Sequence, residues 1–208
     1  MIELFSANTP NGKKISIMLE EIGYEYKVTK IDLDNGEQFK SDFKKISPLS
    51  KIPVIIDHKH NKTIFESGAI LIYLAEQSGM FYDLKDRLEI NQWLMAQMGY
   101  VGPMLGQHHQ FHHYNPGKSK FGENRYFKIS TQIYKDLDER LDVSKFLAGK
   151  DFTIADIATF PWIARHDWHD IGLKKFKNLT RWYEEISKRK AVQKGYDLLK
   201  KGESIPKP

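Results

Sequence analysis

The spacing of apolar residues changes once along this chain, near residue 84, and that change limits the architecture more than any single motif does. Before it, short alternating stretches interleave with helical ones; after it, every apolar pattern is helical. Residues 2–6 alternate and predict a strand. Ile15, Ile17, Met18, Leu19 and Ile22 lie within 12–23 at the spacing of a helix packed on a sheet. The β-branched alternation EYKVTKIDL (25–33) predicts a second strand and completes a β-α-β unit. QFKSDFKKIS (38–47) reads as a short helix. IPVIIDH (52–58) and TIFE (63–66) read as two strands of a hairpin around the polar HKHNK. SGAILIYLAEQSG (67–79) reads as a helix closed by its glycine.

The order β-α-β, α, β-β-α over about 80 residues is the thioredoxin-like arrangement, an α/β domain with a mixed four-stranded sheet and helices on both faces. The rest is expected to be all-α. LKDRLEINQWLMAQMGYVGPMLGQHHQFHH is one long helical pattern that Pro103 should kink. Ile129, Ile133, Leu137 and Leu141 recur every four residues. In DFTIADIATF, Thr153 and Asp156 have the spacing of a capping box, with Phe152 and Ile157 as its hydrophobic staple. The expected domains are 1–80 and 86–208, joined by GMFYDLK (79–85).

With 40% hydrophobic and 28% charged residues, the chain has the composition of a soluble globular protein. Its formal charge of +5 implies mild attraction for small anions. The excess lies at helical spacing in the C-terminal third, on what read as solvated helix faces, and no nucleic-acid-binding motif accompanies it. There is no cysteine, hence no disulfide, cysteine nucleophile or thiolate metal site. MIELFSANTP lacks the pattern of a signal peptide, and no apolar run approaches the roughly 18 residues of a membrane span. Cytoplasmic location is the expectation, with neither membrane nor nucleic acid as partner.

Between the first strand and helix stands TPNGKK (9–14), without cysteine, tyrosine or acid. Chemistry in this turn would need a nucleophile brought from outside. TPNGKKISIMLEE, NGEQF, SPLSKIPVIID, FESGAILIYLAE, GPMLGQ and FTIADIA together resemble the nu class of the glutathione transferase superfamily over nearly the whole chain. That class contains bacterial glutathione-dependent disulfide-bond reductases and relatives of a yeast nitrogen regulator. TPNG, NGEQF and GPMLGQ are the most specific parts; ESGAI and TIAD indicate only the superfamily.

The resemblance implies a glutathione site. Pro53 is expected to be cis, turning the backbone of Ile52 outward so that an extended peptide can pair with it. Glu66 and Ser67, at a strand end and helix start, are expected to meet the ammonium and carboxylate of the γ-glutamyl group. Lys51 is expected at the glycyl carboxylate, with Gln38 as a hydrogen-bonding neighbour. A free thiol has a pKa of about 8.5, and a helix N-terminus with neutral donors can stabilise its anion. Thr9 and Asn11 are the expected catalytic donors, with Ser6 a lesser hydroxyl. Arg125, in ENRYF, is expected to bind a second or an oxidised glutathione. His108, His109, His112 and His113 lack an HExxH pattern, so no metal is expected, and they read as the wall of a second-substrate site.

The implied activity is glutathione-dependent disulfide-bond oxidoreduction, with glutathione as cosubstrate, by a homodimer that pairs the first domain of one protomer with the helical domain of the other. A conjugating glutathione transferase and a non-catalytic glutathione-binding regulator are the alternatives left open.

Overall fold

The alternation in residues 2–6 places Ile2, Leu4 and Ser6 on the buried face of a strand, and the sheet is built outward from it. A computed structural model describes all 208 residues and divides them into two units, Met1–Met80 with Arg189–Ser204, and Phe81–Lys188 with Ile205–Pro208. The first unit contains β1 (Ile2–Ser6), α1 (Pro10–Ile22), β2 (Tyr26–Lys30), α2 (Ser41–Ile46), β3 (Val54–Asp57), β4 (Lys62–Phe65) and α3 (Ser67–Ser78). The strand order is β2-β1-β3-β4; β1 is parallel to β2 and antiparallel to β3, and β4 forms a hairpin with β3. This is the expected mixed four-stranded sheet. The helix expected over 38–47 divides into a 3-10 turn at Glu37–Phe39 and α2.

The second unit is helical: α4 (Arg87–Ala96), α5 (Gly102–His108), α6 (Lys120–Asp142), α7 (Ile154–Ile163), α8 (His166–His169) and α9 (Lys177–Ser187). The break expected at Pro103 arrives earlier. A π-helical segment, Gln97–Val101, joins α4 to α5 within one continuous helical run, and Pro103 follows it at once, removing one N–H from the ladder where the helix has already widened. The capping box of α7 is present, with Thr153 Oγ1 accepting from Ala155 N and the Asp156 carboxylate accepting from Thr153 N.

The last helix, α10 (Lys190–Asp197), belongs to the first unit, although the expected boundaries placed 86–208 in one helical domain. The reason is a close helix–helix approach. A Cβ on Gly195 would lie 2.5 Å from Ile17 Cα, so only glycine lets α10 lie this near α1. Ser16 Oγ donates to Gly195 O at 2.6 Å, Arg189 grips Glu21 with two bonds of 2.6 and 2.7 Å, and Lys194 pairs with Glu20 at 2.8 Å.

Asp156 holds the second unit together locally. It is fully buried and accepts from Leu147 N at 3.0 Å, Trp182 Nε1 at 2.8 Å and Thr153 N at 3.0 Å, drawing the loop before α7, α7 and α9 to one carboxylate. Asp156→Asn keeps the volume but cannot serve all of these donors. At about 1–3 kcal/mol for each buried donor left unpaired, it should cost about 3 kcal/mol or more, read as a fall in the urea midpoint.

Candidate active site

Where β1 gives way to α1, each residue of TPNG has a separate geometric task. Thr9 is extended (φ −127°) and is the N-cap; its Oγ1 accepts from Gly12 N at 3.1 Å. Pro10 follows in the first turn, where a proline fits. A Cβ on Gly12 would lie 2.3 Å from Ala7 O and 2.5 Å from Ser6 Oγ, so no other residue closes this turn without displacement. Capping does not exhaust Thr9. A hydroxyl that accepts from Gly12 N still has its own O–H to donate.

A cavity of about 130 Å³ opens in this unit and brings together Asn11, Lys51, Ile52, Pro53, Glu66 and Ser67. That is less than the roughly 300–1,000 Å³ of whole ligand pockets, so it suits one end of an extended ligand. The Ile52–Pro53 bond is cis. Ser47, Leu49 and Phe65 also line the cavity and were not anticipated. Ser47 is buried and braces the loop before the proline, with Lys51 N donating to its Oγ at 3.0 Å and its Oγ donating to Lys51 O at 2.7 Å.

Glu66 has φ 70° and ψ 116°, an unfavourable region for a residue with a Cβ. It occupies the N-cap position of α3 and makes no side-chain cap, while Ser67 is already the first helical residue. The hydroxyl of Ser67 is therefore not spent as a helix cap. Ser67 is 3% exposed, and its Oγ accepts from Lys14 Nζ at 3.3 Å.

The two lysines of TPNGKK are buried, at 0% exposure for Lys13 and 1% for Lys14. Lys13 Nζ donates to Tyr196 O at 2.6 Å, pairs with Glu203 at 2.7 Å and lies 3.5 Å from the centre of the Tyr196 ring. Burial pulls the Lys14 ammonium down to about 7, against the opposing pull of the Glu66 charge. Sequence reasoning missed both, because consecutive lysines at a helix start read as solvated. Asn8, also missed, has its Oδ1 buried without a partner beside the turn.

Other expected residues lie elsewhere. Thr9 is not among the residues lining the cavity, although Asn11 is. Gln38 is not among them either; its Nε2 donates to Leu33 O at 3.4 Å. Arg125 is exposed on α6 in the second unit, 6.0 Å from the centre of the Tyr126 ring. His108 and His109 are buried inside the helical unit and so cannot form an open wall. His108 Nε2 bonds His169 O at 2.9 Å, His109 Nε2 bonds His169 Nε2 at 2.8 Å, and the Tyr134 hydroxyl bonds His169 Nδ1 at 2.7 Å. Burial, with the nearby Arg165 charge, pushes His109 down to about 3, and burial lowers His108 and His169 as well, which favours neutral rings. No group of three or more histidines, cysteines or carboxylates is placed to hold a metal ion.

A thioredoxin-like sheet with a cis-proline cavity, followed by a helical unit, is the architecture of a glutathione transferase fold. Comparison with known proteins fixes the family. The glutathione S-transferase N-terminal domain matches residues 1–76 and the C-terminal domain matches 122–190. Disulfide-bond oxidoreductase YfcG of Escherichia coli is 42% identical over 207 residues, spanning 96% of this chain and 95% of that protein. Disulfide-bond oxidoreductase YghU of the same organism is 38% identical, spanning 93% and 73%. Among solved structures, a glutathione transferase from Burkholderia graminis with two glutathione molecules per subunit superposes with a TM-score of 0.90 at 38% identity, covering 97% of this chain and 89% of that one. One from Pseudomonas putida with a glutathione disulfide per subunit gives 0.89 at 38%, covering 95% and 91%. The chain belongs to the glutathione transferase family.

The buried Lys14 has a thermodynamic consequence. Its folded pKa of about 7 lies below the ordinary value of 10.5, so the unfolded chain binds more protons between those limits and Lys14 contributes a stability that rises with pH across that window. Lys14→Met should therefore raise the Tm, by an amount equivalent to roughly 1–4 kcal/mol, and most strongly at pH 7 or below. The gain should shrink as the melts are repeated toward pH 10.

Proposed function

We propose that this protein is a glutathione-dependent disulfide-bond oxidoreductase of the nu class. The observation that carries the proposal is a cavity lined by Asn11, Lys51, Ile52, Pro53, Glu66 and Ser67 in a chain without any cysteine. The nucleophile then has to arrive with the ligand, and glutathione supplies it. Its γ-glutamyl group lies at Glu66 and Ser67, its cysteinyl backbone pairs with Ile52, and Lys51 meets its glycyl carboxylate. The start of α1, the Asn11 amide and the Thr9 hydroxyl stabilise the thiolate. That thiolate attacks one sulfur of a small disulfide, forming a glutathione mixed disulfide and releasing the other half as thiolate. A second glutathione thiolate, held with the help of Arg125, attacks the glutathione sulfur of the mixed disulfide. Oxidised glutathione forms and the remaining thiolate leaves. The names of the two Escherichia coli relatives and the ligands of the two superposed structures support this sequence of steps. Reduced glutathione as cosubstrate fits a reducing cytoplasm.

The test is reduction of 2-hydroxyethyl disulfide by the purified protein with glutathione, followed by reductase-coupled recycling of oxidised glutathione. Thr9→Ala and Asn11→Ala should each lower kcat/KM about 10- to 100-fold, the scale for removing one preorganised donor to a developing or bound anion. A thioether product with aromatic halides, and no oxidised glutathione from disulfides, would reassign the chain to conjugation.

We also propose a homodimer. Leu84, Leu88 and Met95 are 73%, 75% and 51% exposed on one stretch of the helical unit, and covering them removes apolar surface from water. Light scattering should give twice the chain mass, and Leu88→Glu should shift it toward the monomer.

A further inference from the structure

One buried side chain fastens the loop that brings Lys51 and Ile52 to the cavity. Ser47 closes α2 at φ −134° and ψ 89°, and Pro48 after it disfavours another helical residue at that point. Its N–H donates to Phe43 O at 2.9 Å and its C=O accepts from Ser50 N at 2.8 Å, across a turn in which Ser50 takes φ 56°. Its hydroxyl then spans Lys51, accepting from Lys51 N at 3.0 Å and donating to Lys51 O at 2.7 Å. Ser47 is 1% exposed, and its N–H, C=O and hydroxyl are all bonded inside the unit.

The Lys51 N–H precedes its φ and the C=O follows its ψ, so tying both to one oxygen restrains both dihedrals and with them the direction of the Cα–Cβ bond. The Lys51 C=O and the Ile52 N–H share one planar trans peptide and point opposite ways. Holding that carbonyl on Ser47 turns the Ile52 N–H away from Ser47, and neither Ile52 N nor Ile52 O takes part in the hydrogen bonds of the loop. The Lys51 side chain is exposed, so the clasp sets its root and leaves its ammonium in water. A long side chain launched from a fixed backbone loses less freedom when it meets an anion.

We propose that Ser47 is a positioning residue for the cysteinyl-glycine half of glutathione, acting through Lys51 by clasping its backbone. This rests on glutathione being the ligand of the cavity, as proposed above. The clasp directs the Lys51 side chain to the glycyl carboxylate and presents the Ile52 N–H to the cysteinyl backbone; the γ-glutamyl end is left to Glu66 and Ser67. Without the hydroxyl, both backbone groups of Lys51 lose their partner and the peptide plane is released to turn. The glycyl and cysteinyl contacts then lose their fixed spacing.

Titration calorimetry with three tripeptides tests this: glutathione, its glycyl amide, in which the glycyl carboxylate is a neutral carboxamide, and glutaryl-cysteinyl-glycine, which lacks the γ-glutamyl ammonium. Ser47→Ala should weaken glutathione about tenfold, the scale of one net hydrogen bond. The wild-type preference for glutathione over the amide should fall by about threefold or more, while the preference over the glutaryl peptide stays within about twofold. Lys51→Met should abolish the preference over the amide, and adding Ser47→Ala should not change that ratio further. In the disulfide assay the loss in Ser47→Ala should appear in KM for glutathione more than in kcat. Ser47→Cys, which keeps the shape with a weak donor and acceptor, carries the same expectations and is read in its place should Ser47→Ala not fold. Equal weakening of all three peptides would make Ser47 a structural brace alone and overturns the inference. So does an equal fall in both preferences, or unchanged glutathione binding in a folded variant; each of these leaves the cavity a glutathione site. Failure of the wild-type protein to bind glutathione overturns both.

Discussion

Two ammonium groups lie side by side in the sequence of α1 and are both withdrawn from water, and the first unit is arranged around that burden. Lys13 and Lys14 are adjacent, so the helical turn sends them about 100° apart. Lys13 faces the C-terminal segment, where Tyr196 O, Glu203 and the Tyr196 ring receive it. Lys14 faces the start of α3. A buried charge of this kind persists only where partners are supplied. Residues 189–204 supply them for Lys13, which explains why a helix more than a hundred residues from the thioredoxin-like segment completes that unit. The clamp of Arg189 on Glu21 and the close approach at Gly195 hold α10 in the position that Lys13 requires.

With α1 held by its neighbours, the turn before it becomes a rigid platform. Thr9 caps the helix, Pro10 sets its first dihedral, and Gly12 fits against Ala7 O and Ser6 Oγ with no room for a Cβ. In the proposed reaction a thiolate placed here would meet the start of a helix whose first turn is already fixed, which favours electrostatic stabilisation with little reorganisation. Neutral donors have a further merit beside glutathione. A thiolate bound as proposed would be stabilised without a proton-accepting group that could itself compete for the proton.

The parts legible in the sequence are those whose causes are local. Strand and helix periods gave the sheet and its helices, because apolar spacing records one buried face. The capping box at Thr153 and Asp156 was legible because all its partners lie within four residues. The wider role of Asp156, reaching Trp182 Nε1 and Leu147 N, was not. Nor was the histidine network: His108 and His109 meet His169 across about sixty positions, and a run of histidines reads equally as ligands, wall or core. Gln38 was chosen from its motif alone, and its Nε2 donates to Leu33 O, a contact within the loop that the motif did not indicate. The buried lysines were hidden because their environment is made by α3 and α10, not by anything within α1.

Buried polar groups in each unit are gathered around a few residues. In the helical unit, Asp156 has donors from loop, helix and indole, and His169 has partners at both ring nitrogens and its carbonyl. These bonds specify packing, and His108 Nδ1, at the edge of the histidine network, is buried without a partner. The region of the cavity has costs of its own. Glu66 sits at φ 70°, Asn8 Oδ1 is buried without a partner, and burial lowers the Lys14 pKa despite the Glu66 charge. These costs cluster where α1 and α3 begin, beside residues that line the opening. The strain at Glu66 and the burial of Lys14 thus lie at the two helix starts that frame the proposed glutathione site.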